Sequence, residues 1–247
     1  MPVPVGTSVP SLASLLQLAD SALPTGAFSQ SFGLEVYLES GEVHDEATLL
    51  AWLEGYLSTQ LTFTDAIAVR RAVRIAEGGS NHAEGGSRTS LAELDAELTA
   101  VLLPAEIRRA SQTMGRRLLE IAGESFAPVV PVLADVASYA ADAARGVCAG
   151  HYSIAFALAG AGQGLDEETL VEAYVYSALT SLTYNAIRAI PLGQLAGQRV
   201  LGALRARVPH AVVRSKTPDE RLFGAAAPAL EIHQMRHEHQ RARMFVS

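Results

Sequence analysis

The sequence predicts an all-helical fold, and two observations carry that prediction. Apolar residues recur at the three- and four-residue spacing of one helix face over several long segments, whereas the strict alternation that is typical of strands is nearly absent. Alanine and leucine, both strong helix formers, fill the same segments. We therefore expect a single-domain bundle of roughly ten helices without a sheet. The run Val129-Val130-Pro131-Val132 resembles a strand, but it is short and its proline argues against one.

The predicted helices can be placed in order along the chain. Between Glu46 and Ala76, four leucines and Tyr56 follow the spacing of one helix face. The same period is found in three further segments, Leu91–Leu103, Pro104–Ala122 and Asp166–Ile190. Pro104 and Pro191 each stand where a helix could begin, because the first turn tolerates the missing amide hydrogen of proline.

Two segments interrupt this pattern. Residues 77–90 contain Glu-Gly-Gly-Ser twice and are expected to form a surface loop, because no Gly-Lys-Ser/Thr follows and no strand precedes them. Gly224-Ala225-Ala226-Ala227-Pro228 is typical of a hinge. We therefore divide the chain into a helical domain, residues 1–224, and an extended C-terminal tail, residues 225–247. The tail is expected to be mobile in the isolated protein and to order on a partner; permanent packing on the domain is the competing interpretation.

The composition restricts the classes of function. The formal charge of −7 and the pI of about 5.5 disfavour a nucleic-acid-binding protein. Apolar stretches are cut by charges such as Glu172 and Arg188 before they reach membrane-spanning length, and the N-terminus does not resemble a signal peptide, so we expect a cytoplasmic chain. The high hydrophobic fraction, 49%, favours an oligomer. Cys148 is the one cysteine, which excludes an intrachain disulfide, and it is interpreted as a buried apolar residue.

No motif of enzymatic chemistry is present in the sequence. A Gly-x-Ser-x-Gly elbow, a Walker loop and a dinucleotide fingerprint are all absent, so we predict no catalytic residue and no cofactor. His233, His237 and His239 could hold nickel transiently at most, since their spacing alone does not supply a closed metal site. Two alternatives remain open: a helical metal-dependent hydrolase that uses His233, His237 and Glu238, and a purely structural helical dimer.

Several ordered motifs, at matching separations, resemble the UreF family of urease accessory proteins. They are the opening segment from Asp20 to Glu35, His151-Tyr152-Ser153-Ile154-Ala155-Phe156, the segment from Asn185 to Gln194, and the tail segment from Ala227 to Glu238. The resemblance covers the chain almost from end to end.

The resemblance implies a non-enzymatic adaptor with an all-α fold that dimerises. Such an adaptor binds the accessory protein UreD (UreH), recruits the GTPase UreG and modulates it, and the complex delivers nickel to apo-urease. Arg188 matches a basic position tied to function in the family, and Arg243 matches an arginine near the end of the tail. On this basis the predicted partner-binding residues are Phe28, Glu35, Arg188, Met235, Arg236, His237, Arg243 and Phe245.

Overall fold

The protein is described by a computed structural model over residues 12–78, 90–126, 133–216, 220–224 and 227–247. Every regular element within these ranges is a helix, and no strand occurs in them. The α-helices are α1 (Leu12–Leu18), α2 (Leu34–Glu39), α3 (Glu46–Tyr56), α4 (Ala66–Ala76), α5 (Leu91–Val101), α6 (Ala105–Ser125), α7 (Leu133–Ala144), α8 (Tyr152–Ala161), α9 (Glu167–Ala189), α10 (Gln194–Arg205), α11 (Val208–Arg214) and α12 (Pro228–His237). A π-helix, Leu57–Asp65, and two short 3-10 helices, Ala27–Ser29 and Glu220–Leu222, complete the fold. The prediction of an all-α, single-domain fold is confirmed.

Helix α8 lies at the centre of the bundle. Its residues from Ser153 to Ala161 are all buried, and it packs against α4, α6 and α9. Glycines permit the close approach of the neighbouring helices: a Cβ on Gly115 of α6 would lie 2.1 Å from the carbonyl oxygen of Gly150, just before α8. The alanine- and glycine-rich composition of these segments therefore serves tight helix packing.

Capping residues explain where several helices begin. The Asp45 carboxylate accepts a hydrogen bond from the Thr48 amide at 2.8 Å, and Ser90 and Glu93 form a reciprocal capping box at the start of α5. The Asp166 carboxylate accepts from the Thr169 amide at 2.9 Å and caps α9. The observed bounds of α5, α6 and α9 agree with the predicted segments to within a few residues.

The segment predicted as one helix between Glu46 and Ala76 is helical throughout, but its middle is a π-helix. The Thr62 hydroxyl within it donates to the Leu57 carbonyl oxygen at 2.5 Å. Next along the chain, α4 contributes Arg70, whose side chain is only 2% exposed and forms ion pairs with Glu167 and Glu168. These pairs join the buried Arg70 of α4 to the partly exposed start of α9.

Some predictions need correction, and some lie outside the described residues. Pro191 does not begin a helix: it lies in the connection after α9, and Gly193 is the N-cap of α10. Cys148 is buried as expected, and burial raises the pKa of its thiol to about 11. Most of the predicted loop, residues 79–89, and the run at 129–132 are not among the described residues. None of the described helices is both long enough and apolar enough to cross a bilayer.

Candidate functional site

The opening segment, from Asp20 to Glu35, forms a turn between α1 and α2, and helix α12 packs against this opening turn. Gly26 and Gly33 have φ angles of +94° and +89°, a region that favours glycine. Gly33 also has no room for a side chain, because a Cβ there would lie 2.5 Å from Cγ of Gln234 in α12. The Gln234 amide donates to the Phe32 carbonyl oxygen at 3.0 Å. The turn and α12 are therefore shaped to each other.

Residues 244–247 run along the same turn. The amide and the hydroxyl of Ser31 both donate to the main-chain oxygen of Ser247, at 2.6 and 2.5 Å. The Val246 amide donates to the Ser29 carbonyl oxygen at 2.8 Å. Phe245 is buried with 3% of its surface exposed. Main-chain hydrogen bonds and an apolar anchor thus hold this end of the chain in place.

The described part of the tail is therefore not extended. Helix α12 packs against α2 and α6 and buries Leu230, Gln234 and His237. The physical reason is that docking removes the apolar surface of Leu230 and Phe245 from water, while Gln234 and His237 keep polar partners on the opening turn, α2 and α6. This arrangement agrees with the competing interpretation of the sequence, in which the tail packs permanently on the domain.

A charged cluster lies where the tail meets α2 and α6. His237, 1% exposed, lies between two carboxylates: its Nδ1 is 2.6 Å from Glu106 and its Nε2 is 2.9 Å from Glu35. Arg243 donates to the other oxygen of Glu106 at 2.6 Å. A neutral imidazole carries one N–H and can donate to only one carboxylate, so an imidazolium matches this geometry best. The His237 ring and the Arg243 guanidinium thus face the carboxyl groups of Glu35 and Glu106 at one site.

Glu35 also binds the main chain of the tail. Its carboxylate accepts hydrogen bonds from the amides of Met244 and Phe245, the latter at 3.0 Å. The Glu35 side chain is only 12% exposed, and its bond to the Phe245 amide is partly buried. Glu35 therefore holds both α12 and the segment that follows it.

Arg188, near the end of α9, lies on the opposite side of the same junction. Its guanidinium donates to the Phe28 carbonyl oxygen at 2.8 Å and stands 5.5 Å above the ring of Phe245. One helical turn earlier, the Asn185 amide donates to the Gln30 carbonyl oxygen at 2.7 Å. The end of α9 thus contacts both the opening turn and the tail. Arg188 therefore does more than interact favourably with the dipole of its own helix.

Three apolar side chains stay exposed around this junction. Phe28, Met244 and Val246 expose 62%, 56% and 62% of their surface, although the main chain of each takes part in the contacts described above. We call these three residues the apolar rim. Exposed apolar side chains on a fixed backbone are typical of a protein–protein contact surface.

The remaining predicted residues do not join this network. Met235 and Arg236 face outward from α12, and His239 is exposed beyond its end. His233 stacks on the Tyr37 ring at 4.1 Å. Within the described ranges, no group of three or more His, Cys, Asp or Glu side chains is arranged to hold a metal ion. The arrangement therefore gives no support to the alternative of a metal-dependent hydrolase built on the tail histidines.

Comparison with known proteins identifies the family. The family model described as UreF matches residues 43–205. The chain belongs to the UreF family. The urease accessory protein UreF of Arthrobacter sp. strain FB24 is 48% identical over 236 residues, which cover 95% of this chain and 96% of that protein. The UreF protein of Paenarthrobacter aurescens is 44% identical, with coverage of 95% and 97%, and that of Lachnoclostridium phytofermentans is 36% identical, with coverage of 95% and 97%.

Sequence reasoning missed two members of this junction. Glu106, which contacts both His237 and Arg243, looks like an ordinary acidic residue in the first turn of a helix. Ser31 has the sequence context of an ordinary turn residue, yet its hydroxyl donates to the main-chain oxygen of Ser247. Both partners are more than 100 residues away along the chain, so a local pattern gives no signal for either contact.

Proposed function

We propose that this UreF-family chain is a non-enzymatic adaptor of urease maturation. It bridges a UreD (UreH)-like protein and a UreG-like GTPase, modulates the GTPase and supports nickel insertion into apo-urease, as a cytoplasmic homodimer. The observation that carries the proposal is the apolar rim, which is held in place by the docked tail. The relatives are named urease accessory protein UreF, and this name supports urease maturation as the process in which the adaptor acts.

The rim has the properties of a binding surface. Its side chains offer apolar area whose burial stabilises a complex by about 25 cal/mol per Å². The backbone beneath them is fixed by Glu35, Ser31 and Arg188, so little conformational entropy is lost when a partner binds. A preorganised apolar surface of this kind favours the role of an adaptor.

Among the described residues, the contact that most resembles a catalytic pair is better explained as structural. This interpretation agrees with a non-enzymatic adaptor. Ser111 Oγ lies 3.0 Å from Nδ1 of His151, as in a nucleophile–base pair. However, burial lowers the pKa of His151 to about 4, so the imidazole is a weak base at neutral pH. Its Nε2 contacts the Thr99 hydroxyl at 2.8 Å, where a catalytic arrangement would need a carboxylate to stabilise the imidazolium. We interpret the pair as structural.

A matched pair of substitutions tests the rim. Val246 and Val147 are equally exposed, at 62%, but Val147 lies in the connection between α7 and α8. In pull-down experiments, Val246→Asp is expected to reduce capture of the UreD-like protein at least about tenfold, because a carboxylate would be buried at the interface. Val147→Asp is expected to bind like the unchanged protein. Equal capture by both variants would rule out the rim as the contact surface.

The adaptor role itself is tested by co-purification and light scattering. The unchanged chain should co-purify with both the UreD-like and the UreG-like protein and should form a species of twice 26.1 kDa alone. Capture of neither partner would contradict the adaptor role, and a species of 26.1 kDa at all concentrations would contradict the homodimer.

A further inference from the structure

A cavity lies between the π-helix, α6, α8, α9 and the opening turn, which contributes Ala27 and Phe32 to its wall. It contains about 640 Å³ of space not filled by atoms, part of it open to solvent. Aromatic side chains form much of its wall: Phe32, Tyr56, Tyr152, Phe156 and Tyr174. Ser111, Ser177, Ser181 and Gln60 add hydroxyl and amide groups. The cavity is thus aromatic with several hydrogen-bonding groups, as ligand sites commonly are.

One acidic side chain, Asp65 at the end of the π-helix, lies on the wall of this cavity. Its Oδ1 accepts a hydrogen bond from the Tyr174 hydroxyl at 2.8 Å. Its Oδ2 is shielded from solvent and has no hydrogen-bond partner, although other parts of the residue remain accessible. Burial raises the pKa of this carboxyl to about 7, and no cationic side chain of the described residues offsets that effect. Among the described residues the carboxylate therefore has no counter-ion, and its Oδ2 has no hydrogen-bond partner.

The side chains of the cavity wall restrict which kind of ligand could serve as the counter-ion of Asp65. A single carboxylate neutralises one positive charge, so a divalent ion would leave a net charge buried, at high cost in free energy. The faces of Tyr56, Tyr152 and Tyr174 attract organic cations through their ring quadrupoles. Serine hydroxyls can accept N–H donors; the Ser177 hydroxyl already donates its proton to the Ala19 carbonyl oxygen, so its lone pairs are available.

We propose that this cavity binds a small, singly charged cation of the ammonium type, with Asp65 as its counter-ion and the tyrosine faces as its walls. The position of Asp65 in a π-helix agrees with the frequent occurrence of π-helical turns at binding sites. The inference does not depend on the adaptor role, because it concerns the binding of a small ligand by the isolated chain.

Calorimetric titration of the full chain with methylammonium chloride tests the proposal, with sodium chloride at matched ionic strength as the reference. We expect saturable binding at pH 8 that weakens by about tenfold per pH unit below pH 7, because protons compete for the carboxylate. Asp65→Asn keeps the shape of the side chain and should abolish binding. Asp20→Asn, at an exposed turn, is the matched control and should bind normally.

A second variant tests the proposal in case Asp65→Asn does not fold. Ala178→Leu fills the cavity from α9 while Asp65 stays in place, and it should also abolish binding. The proposal is overturned if the unchanged chain shows no saturable binding at pH 8, or if Asp65→Asn, folded by circular dichroism, binds as well as the unchanged chain. Binding of Ni²⁺ through Asp65 in place of methylammonium would equally overturn the assignment of a singly charged ligand.

Discussion

Replacement of Glu35 by alanine is expected to release the tail while leaving the helical domain folded. The Glu35 carboxylate accepts three hydrogen bonds from the tail, from the amides of Met244 and Phe245 and from His237. A hydrogen bond to a charged group contributes about 1.5–3 kcal/mol net. The three contributions do not add, because an undocked tail regains hydrogen bonds to water. We therefore expect a loss of about 3 kcal/mol in the free energy of tail opening.

Amide hydrogen exchange measures this free energy directly. A change of about 3 kcal/mol corresponds to exchange roughly 100-fold faster at Met244 and Phe245, whose amides are the donors to Glu35. The melting temperature should fall by only a few degrees, because the side-chain hydrogen bonds of Glu35 go to the tail and not to α4, α8 or α9. Glu120→Ala, at a side chain that is 63% exposed on α6, is the control and should leave the exchange of both amides unchanged.

Two results would refute this reasoning. Unchanged exchange at Met244 and Phe245 would mean that Glu35 does not hold the tail. A large fall in melting temperature, with exchange accelerated throughout α4, α8 and α9, would mean that the tail and the core unfold as one cooperative unit.

Two further variants test the packing and the junction. In thermal denaturation, Gly115→Ala should destabilise the protein by about 3 kcal/mol, because its Cβ would lie 2.1 Å from the Gly150 carbonyl oxygen. The control is Gly123→Ala in the same helix, which should be neutral or stabilising because no atom lies within 4 Å of its Cβ. Equal melting temperatures of the two variants would contradict the close packing at Gly115. Arg188→Ala should cost about 1 kcal/mol through the loss of its contact with the Phe245 ring and should impair urease activation in cells; normal activation would show that Arg188 acts only in stability.

The helical fold was predictable because its signals are local. The apolar face of α9 and the caps at Asp45, Ser90 and Asp166 lie within a few residues of the structure they specify. The π-helix between α3 and α4 was not predictable in the same way. The nine residues of Leu57–Asp65 contain too few apolar side chains to distinguish π-helical from α-helical spacing, so the segment has the pattern of an ordinary helix.

The candidate site was predictable only in part. Family motifs led to Glu35, Arg188, His237, Arg243 and Phe245, which the structure places at one junction. Packing of the tail on the domain was only the competing interpretation, and the surface on which it packs was not predicted, because the hinge pattern at 224–228 carries no information about that surface. Long-range pairing of this kind depends on the fold as a whole and leaves no periodic trace in the sequence. The domain boundary, the role of these residues in partner binding and the homodimer stay predictions.

The π-helix makes the relative rotation of α3 and α4 depend on a single residue. In an α-helix each residue turns the chain by about 100°. If Leu57–Asp65 were rewound as an α-helix, the surplus residue would have to be absorbed by α3, which would rotate by about that angle about its axis. Trp52 and Tyr56, whose rings are stacked at 5.4 Å, would then swing away from their present neighbours. Deletion of one residue in this segment is therefore a more severe change than most substitutions there, because it reorients every side chain of α3 at once.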